Sequence, residues 1–167
     1  MREIITFISH QESFNFLGNK NVLEGDVKDN DFGKIWNDFF DMGAYDPIHP
    51  YALDTRPINV WYRNEDGKTV YFQGLFVGEV DKVPDGFTLE SFPEFDYLCI
   101  TTEWMEDYGD SVGYEGNGRC NEYAEIAPIP DGWERCNGDF IKIEKENVNN
   151  PEGHRYEVWV PIRKKQA

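Results

Sequence analysis

The chain has 167 residues, 40% hydrophobic and 16% aromatic, which is enough apolar material for one sizeable core and too little length for two comfortable domains. Its formal net charge is −16, so its surface repels phosphate backbones and anionic lipid and attracts cations at long range. This composition excludes a disordered chain and argues against direct nucleic-acid binding.

The opening "MREIITFISHQESF" carries a short apolar run broken by polar residues, without a small-residue cleavage pattern, and it does not read as a secretory signal. No stretch approaches transmembrane length, so no membrane association is expected. "ESFNFLGNKNVL" reads as a strand. In "DNDFGKIWNDFFDMG", Phe32, Ile35, Trp36, Phe39 and Phe40 recur at helical spacing, with Asp31 as N-cap and Gly43 as the stop. A Pro-rich loop follows, then two strands joined at "NEDGK", where Asp66-Gly67 is a hairpin signal.

The second half opens with the apolar strand region "FTLESFPEFDYLCITTEW", interrupted at Pro93. An acidic, Gly-rich loop, "MEDYGDSVGYEGNG", comes next, and "RCNEYAEIA" makes two or three helical turns before Pro128 and Pro130. "DFIKIEKEN" alternates as a half-exposed strand, and "HRYEVWVPI" closes the chain. Strand, helix, strand, strand thus occurs twice, which predicts a single α+β domain over residues 1–167, with halves of about 1–83 and 84–167.

The last strand poses the chemical question. Alternation places Tyr156, Val158 and Val160 on one face and Glu157, Trp159 and Pro161 on the other. A carboxylate beside an indole in so apolar a strand either faces water or needs a partner, because burying it alone is unfavourable.

Other chemistries find little support. His10, His49 and His154 are scattered, and Cys99, Cys120 and Cys136 lack structural-zinc spacing, so no metal and no cofactor are expected. The odd cysteine count without a CxxC pair points to reduced thiols and a cytoplasmic protein. Asp26, Asp29 and Asp31 lack the EF-hand spacing and its terminal Glu. There is no GxSxG, and Cys99 lies within an apolar strand where a thiol is inert.

The order of elements, "FPEFDYLCI" and "YEVWVPI" together resemble the GyrI-like effector-binding domains found in some AraC- and MerR-type bacterial regulators and as stand-alone proteins. Pro93 and Tyr97 match the family's midpoint signature, and Glu157, Pro161 and Ile162 match its C-terminal one. "KIWNDFF" is similar to the first helix of stand-alone integron-cassette effector-binding proteins. The second helix departs from the family pattern, being short and ended by prolines. No helix-turn-helix segment precedes the domain, so a role in transcription is expected to run through ligand sequestration or a separate partner.

The resemblance implies duplicated β-α-β-β units of the SHS2 type, with a ligand cleft between the halves and Glu157 at its base. A hydrophobic, cationic small molecule would neutralise Glu157 and stack on aromatic rings. Trp159, Tyr97, Trp61, Trp104 and Tyr123 are the candidate ring and hydroxyl contacts. The family also implies two alternatives. One is a hydrolase of electrophilic small molecules, with Glu157 orienting a water and Tyr97 assisting. The other is an inhibitor acting on a larger protein such as gyrase, which leaves a protein partner or a homodimer open.

Overall fold

The computed structural model describes residues 2–136 and 138–166. In chain order its elements are β1 (Ile4–Gln11), β2 (Phe14–Val22), α1 (Phe32–Asp41), β3 (Ile58–Arg63), β4 (Thr69–Val77), β5 (Thr88–Phe92) and β6 (Phe95–Thr102). Then come α2 (Tyr108–Val112), α3 (Arg119–Ile126), β7 (Trp133–Arg135), β8 (Phe140–Asn150) and β9 (Gly153–Lys164). The fold is α+β, with antiparallel strand pairing and few helices. The chain forms two compact units, one continuous from Ser13 to Pro93, the other joining the residues up to Glu12 with those from Glu94 onward.

In the continuous unit the strands run β3-β4-β2-β5. Asp31 accepts the Lys34 N–H at 3.0 Å and starts α1 as its sequence predicts. Asp29 accepts the Asp26 N–H at 3.2 Å, so two of the three clustered aspartates serve local backbone turns. The helix buries Phe39 against Leu17, Leu75 and Val77, with Trp36 and Met42 packed alongside. The β3–β4 hairpin closes over Asn64–Lys68, where Gly67 takes a φ of +73° that favours glycine. The sheet face away from α1 is a phenylalanine layer, with Phe14 on Phe76 at 4.4 Å and Phe16 on Phe72 at 4.8 Å between ring centres.

Gly18 and Gly74 face one another across β2 and β4. A methyl on Gly18 would run into the Gln73 carbonyl, and one on Gly74 into that of Leu17. Gly18→Ala is expected to lower unfolding stability by about 3 kcal/mol, because rigid backbone must shift to admit the methyl. Gly138→Ala, which meets nothing within 4 Å among the described residues, should stay within roughly 0.5 kcal/mol. Urea denaturation of the two variants checks this, and equal midpoints would contradict the close approach.

The discontinuous unit orders its strands β1-β6-β9-β8, with β7 also paired to β9. Residues 4–11, left unassigned by the sequence, form β1 and pair along the whole of β6, so the first residues join the second half of the chain. "MEDYGDSVGYEGNG" is also more than a loop. Asp107 caps α2 by accepting the Gly109 N–H at 2.7 Å, and a π-helical turn over Tyr114–Gly118 leads into α3. The helical side of this sheet holds the core, with Leu98 and Ile100 from β6, Cys120 and Ala124 from α3, and Tyr156, Val158, Val160 and Ile162 from β9. Arg135 donates to the carbonyls of Ala124 and Ala127 and closes the end of α3.

Candidate functional site

Because β9 alternates, burying Tyr156, Val158 and Val160 under α3 sends Arg155, Glu157 and Trp159 to the face of this sheet away from the helix. The ladder then decides their neighbours. Lys145 of β8 lies opposite Glu157, Asn147 opposite Arg155, and Cys99 of β6 opposite Trp159. Phe7 of β1 in turn faces Cys99.

Glu157 is only 5% exposed, and it does not wait for a partner. One carboxylate oxygen accepts the Trp159 indole N–H at 3.0 Å. The other accepts the Asn147 amide at 2.7 Å and the Arg155 Nε–H at 3.1 Å. The sequence leaves two possibilities for this carboxylate, facing water or finding a partner. The structure takes the second, since three donors, one of them fully charged, satisfy it.

Arg155 is itself held on its apolar side. Its guanidinium carbon lies 4.2 Å from the centre of the Trp104 ring and 5.9 Å from that of Phe7. A planar cation thus sits between a buried carboxylate and an indole face, the surroundings in which cation–π attraction is strongest. Trp104 also walls an open groove of about 550 Å³ with Arg2, Glu103 and Glu115, and Phe7 is 40% exposed.

Tyr97 is fully buried on the same face, against Trp159 at 5.6 Å and Phe140 at 6.2 Å between ring centres. Phe95 stacks on Phe140 at 5.4 Å and extends the aromatic cluster. Among the described residues the Tyr97 hydroxyl finds no hydrogen-bond partner, Glu157 included, and burial holds its pKa far above the usual phenol range.

The structure therefore brings together Glu157, Trp159, Tyr97 and Trp104. It does not bring Tyr123 to them. Tyr123 packs on the helical side of the sheet, against the cluster that holds Cys120 and Ala124 of α3, so it lies behind Glu157. Trp61 belongs to the continuous unit, where it packs at 4.5 Å on Tyr71 and at 6.0 Å on Phe32 of α1. Trp61 is a core residue beneath its helix, as alternation against Tyr62 allows. Sequence reasoning missed Arg155 and Asn147. The signal for Arg155 was in plain view, since "RYEVW" puts Arg155, Glu157 and Trp159 at alternate positions of one strand.

Cys99 and Cys120 are buried, and burial raises both thiols, Cys120 to about 12 and Cys99 further still. Neither is a thiolate near neutral pH, and neither serves as a nucleophile there. Among the described residues no helix is long and apolar enough to cross a membrane.

No protein-family model and no curated protein matches this chain. Solved structures share its fold. SAV2435, in a structure bound to tetraphenylphosphonium, superposes with a TM-score of 0.70 at 11% identity, covering 95% of this chain and 94% of its own. A protein from Staphylococcus aureus MU50 described as a bacterial transcription regulation protein is similar at 0.66 and 11%, covering 95% of this chain and 98% of its own. The Vibrio cholerae integron cassette protein VCH_CASS2 is similar at 0.57 and 13%, covering 95% of both chains. These likenesses agree with the GyrI-like effector-binding fold that the motifs resemble.

Proposed function

We propose that this protein is a small-molecule effector-binding protein whose ligand is an aromatic, lipophilic cation bound on the Glu157 face. The observation that carries the reading is the seat of Arg155, a cation held by a buried carboxylate against an indole ring. A ligand offering a delocalised positive charge and ring surface would find the same partners. The solved neighbour bound to tetraphenylphosphonium supports that ligand class, and Glu103 and Glu115 beside Trp104 favour the approach of a cation.

The hydrolase alternative has less behind it. It needs a second polar group working with Glu157, and the Tyr97 hydroxyl makes no hydrogen bond to it. Glu157 also already accepts from three donors, which would compete with a water for its oxygens. For the gyrase-inhibitor alternative no local feature of either unit speaks.

Thermal denaturation with tetraphenylphosphonium and with neutral triphenylphosphine oxide tests the reading. At a concentration about one hundred times the dissociation constant, the cation should add roughly 2.7 kcal/mol of stability. The neutral compound should add much less. Equal stabilisation by the two, or none by either, would reject the cationic ligand class.

A further inference from the structure

A second constellation lies at the end of the β1–β6 ladder and has no part in the reading above. Register sets His10 directly opposite Asp96, and the His10 Nδ1 meets an Asp96 carboxylate oxygen at 2.8 Å. The other ring nitrogen points the opposite way, to Glu94 at 3.2 Å and Glu12 at 3.4 Å. Glu12 and Glu94 are the residues where the chain leaves this unit and re-enters it. His10, Glu12 and Glu94 are all exposed, and one ligand atom from each lies within 4.8 Å of the others.

We infer that His10, Glu12 and Glu94 form a binding site for a first-row divalent cation of the zinc, cobalt or nickel kind, with Asp96 orienting the imidazole. The spacing fits such an ion. Bonds of about 2.1 Å to nitrogen and oxygen put neighbouring ligand atoms roughly 3.4 Å apart in a tetrahedron and 3.0 Å in an octahedron. The two separations from His10 Nε2, 3.2 and 3.4 Å, fall in that range, and the two carboxylate oxygens lie within 4.8 Å of each other. The tautomer fits as well. With Nδ1–H donated to Asp96, the lone pair of Nε2 points at two carboxylates, an arrangement that an ion between them turns from repulsive to attractive. Three carboxylates surround one imidazole, so charge favours a dication. Mixed nitrogen and oxygen donors with open positions for water suit zinc, cobalt and nickel better than calcium.

Cobalt(II) is the probe, added to the full chain after removal of trace metal with a chelator. One equivalent should bind saturably in the micromolar range with weak visible bands and no sulfur-to-metal charge-transfer band. Isothermal titration should show His10→Ala losing roughly 10- to 100-fold in affinity, Glu94→Gln and Glu12→Gln losing less, and Asp96→Asn lying between. His49→Ala should bind as the unmodified protein does. His10, Glu12 and Glu94 are exposed, so these variants should fold, and circular dichroism melts check that they do. A sulfur-to-metal band, binding unchanged in His10→Ala, or only weak non-stoichiometric binding to the acidic surface would overturn the site. None of these measurements depends on the Glu157 face, so failure here leaves that reading untouched.

Discussion

Replacing Glu157 by Gln should weaken tetraphenylphosphonium binding by roughly 5- to 150-fold, the equivalent of about 1–3 kcal/mol for a lost charge-assisted contact. Affinity for triphenylphosphine oxide should change by less than about threefold, because the aromatic surface of Trp159 and Trp104 stays in place. The substitution also carries a folding cost that the binding assay must allow for. The new amide nitrogen would face a donor, either the Trp159 indole or the Asn147 amide and Arg155 Nε–H, all of which now point at the carboxylate. A loss of about 2 kcal/mol in urea unfolding is expected, so titrations belong well below the melting temperature. If Glu157→Gln keeps full preference for the cation, the carboxylate is structural and the proposed ligand chemistry fails.

Arg155→Met should act in the opposite sense on binding. In the folded protein Arg155 takes up the place between Glu157 and Trp104 that a cationic ligand would need. Any such ligand must compete with a guanidinium held within its own chain, and that competition lowers apparent affinity. Methionine keeps much of the apolar stem and removes the charge. Tetraphenylphosphonium should therefore bind about tenfold more tightly, while the ligand-free protein loses on the order of 3 kcal/mol from an unpaired buried carboxylate. Asn147 and Trp159 still donate to Glu157, and their bonds keep that loss from being larger. Titration calorimetry and chemical denaturation on the same preparation read both effects. Weaker cation binding by Arg155→Met would show that the arginine helps to build the site, and it would refute the idea that it occupies it.

Much of this arrangement was legible in the residues. Helical spacing from Phe32 to Phe40 with Asp31 before it defines α1, since a local cap and a one-sided apolar stripe need no distant partner. Alternation in "HRYEVWVPI" separates Tyr156, Val158 and Val160 from Glu157 and Trp159, because a pleated strand can send its side chains only to two faces. The hairpin at Asp66-Gly67 is equally local, set by the backbone freedom of Gly67.

Three things needed the tertiary structure. β1 has little apolar alternation of its own, and only pairing with β6 makes residues 4–11 a strand. α2 and the turn after it form in a Gly-rich acidic segment that helix propensity disfavours, where an Asp107 cap and burial of Ser111 and Gly116 prevail. The partners of Glu157 were out of reach for the same reason. Alternation shows which face a carboxylate is on, and it is silent on the register that brings Asn147 from β8 within 2.7 Å. Chain order alone does not set Trp104 beneath Arg155, Tyr123 behind the sheet, or one ring nitrogen of His10 beside the carboxylates of both Glu12 and Glu94. Periodicity is a property of one strand, whereas charge compensation belongs to neighbouring strands, and only their pairing decides who stands beside whom.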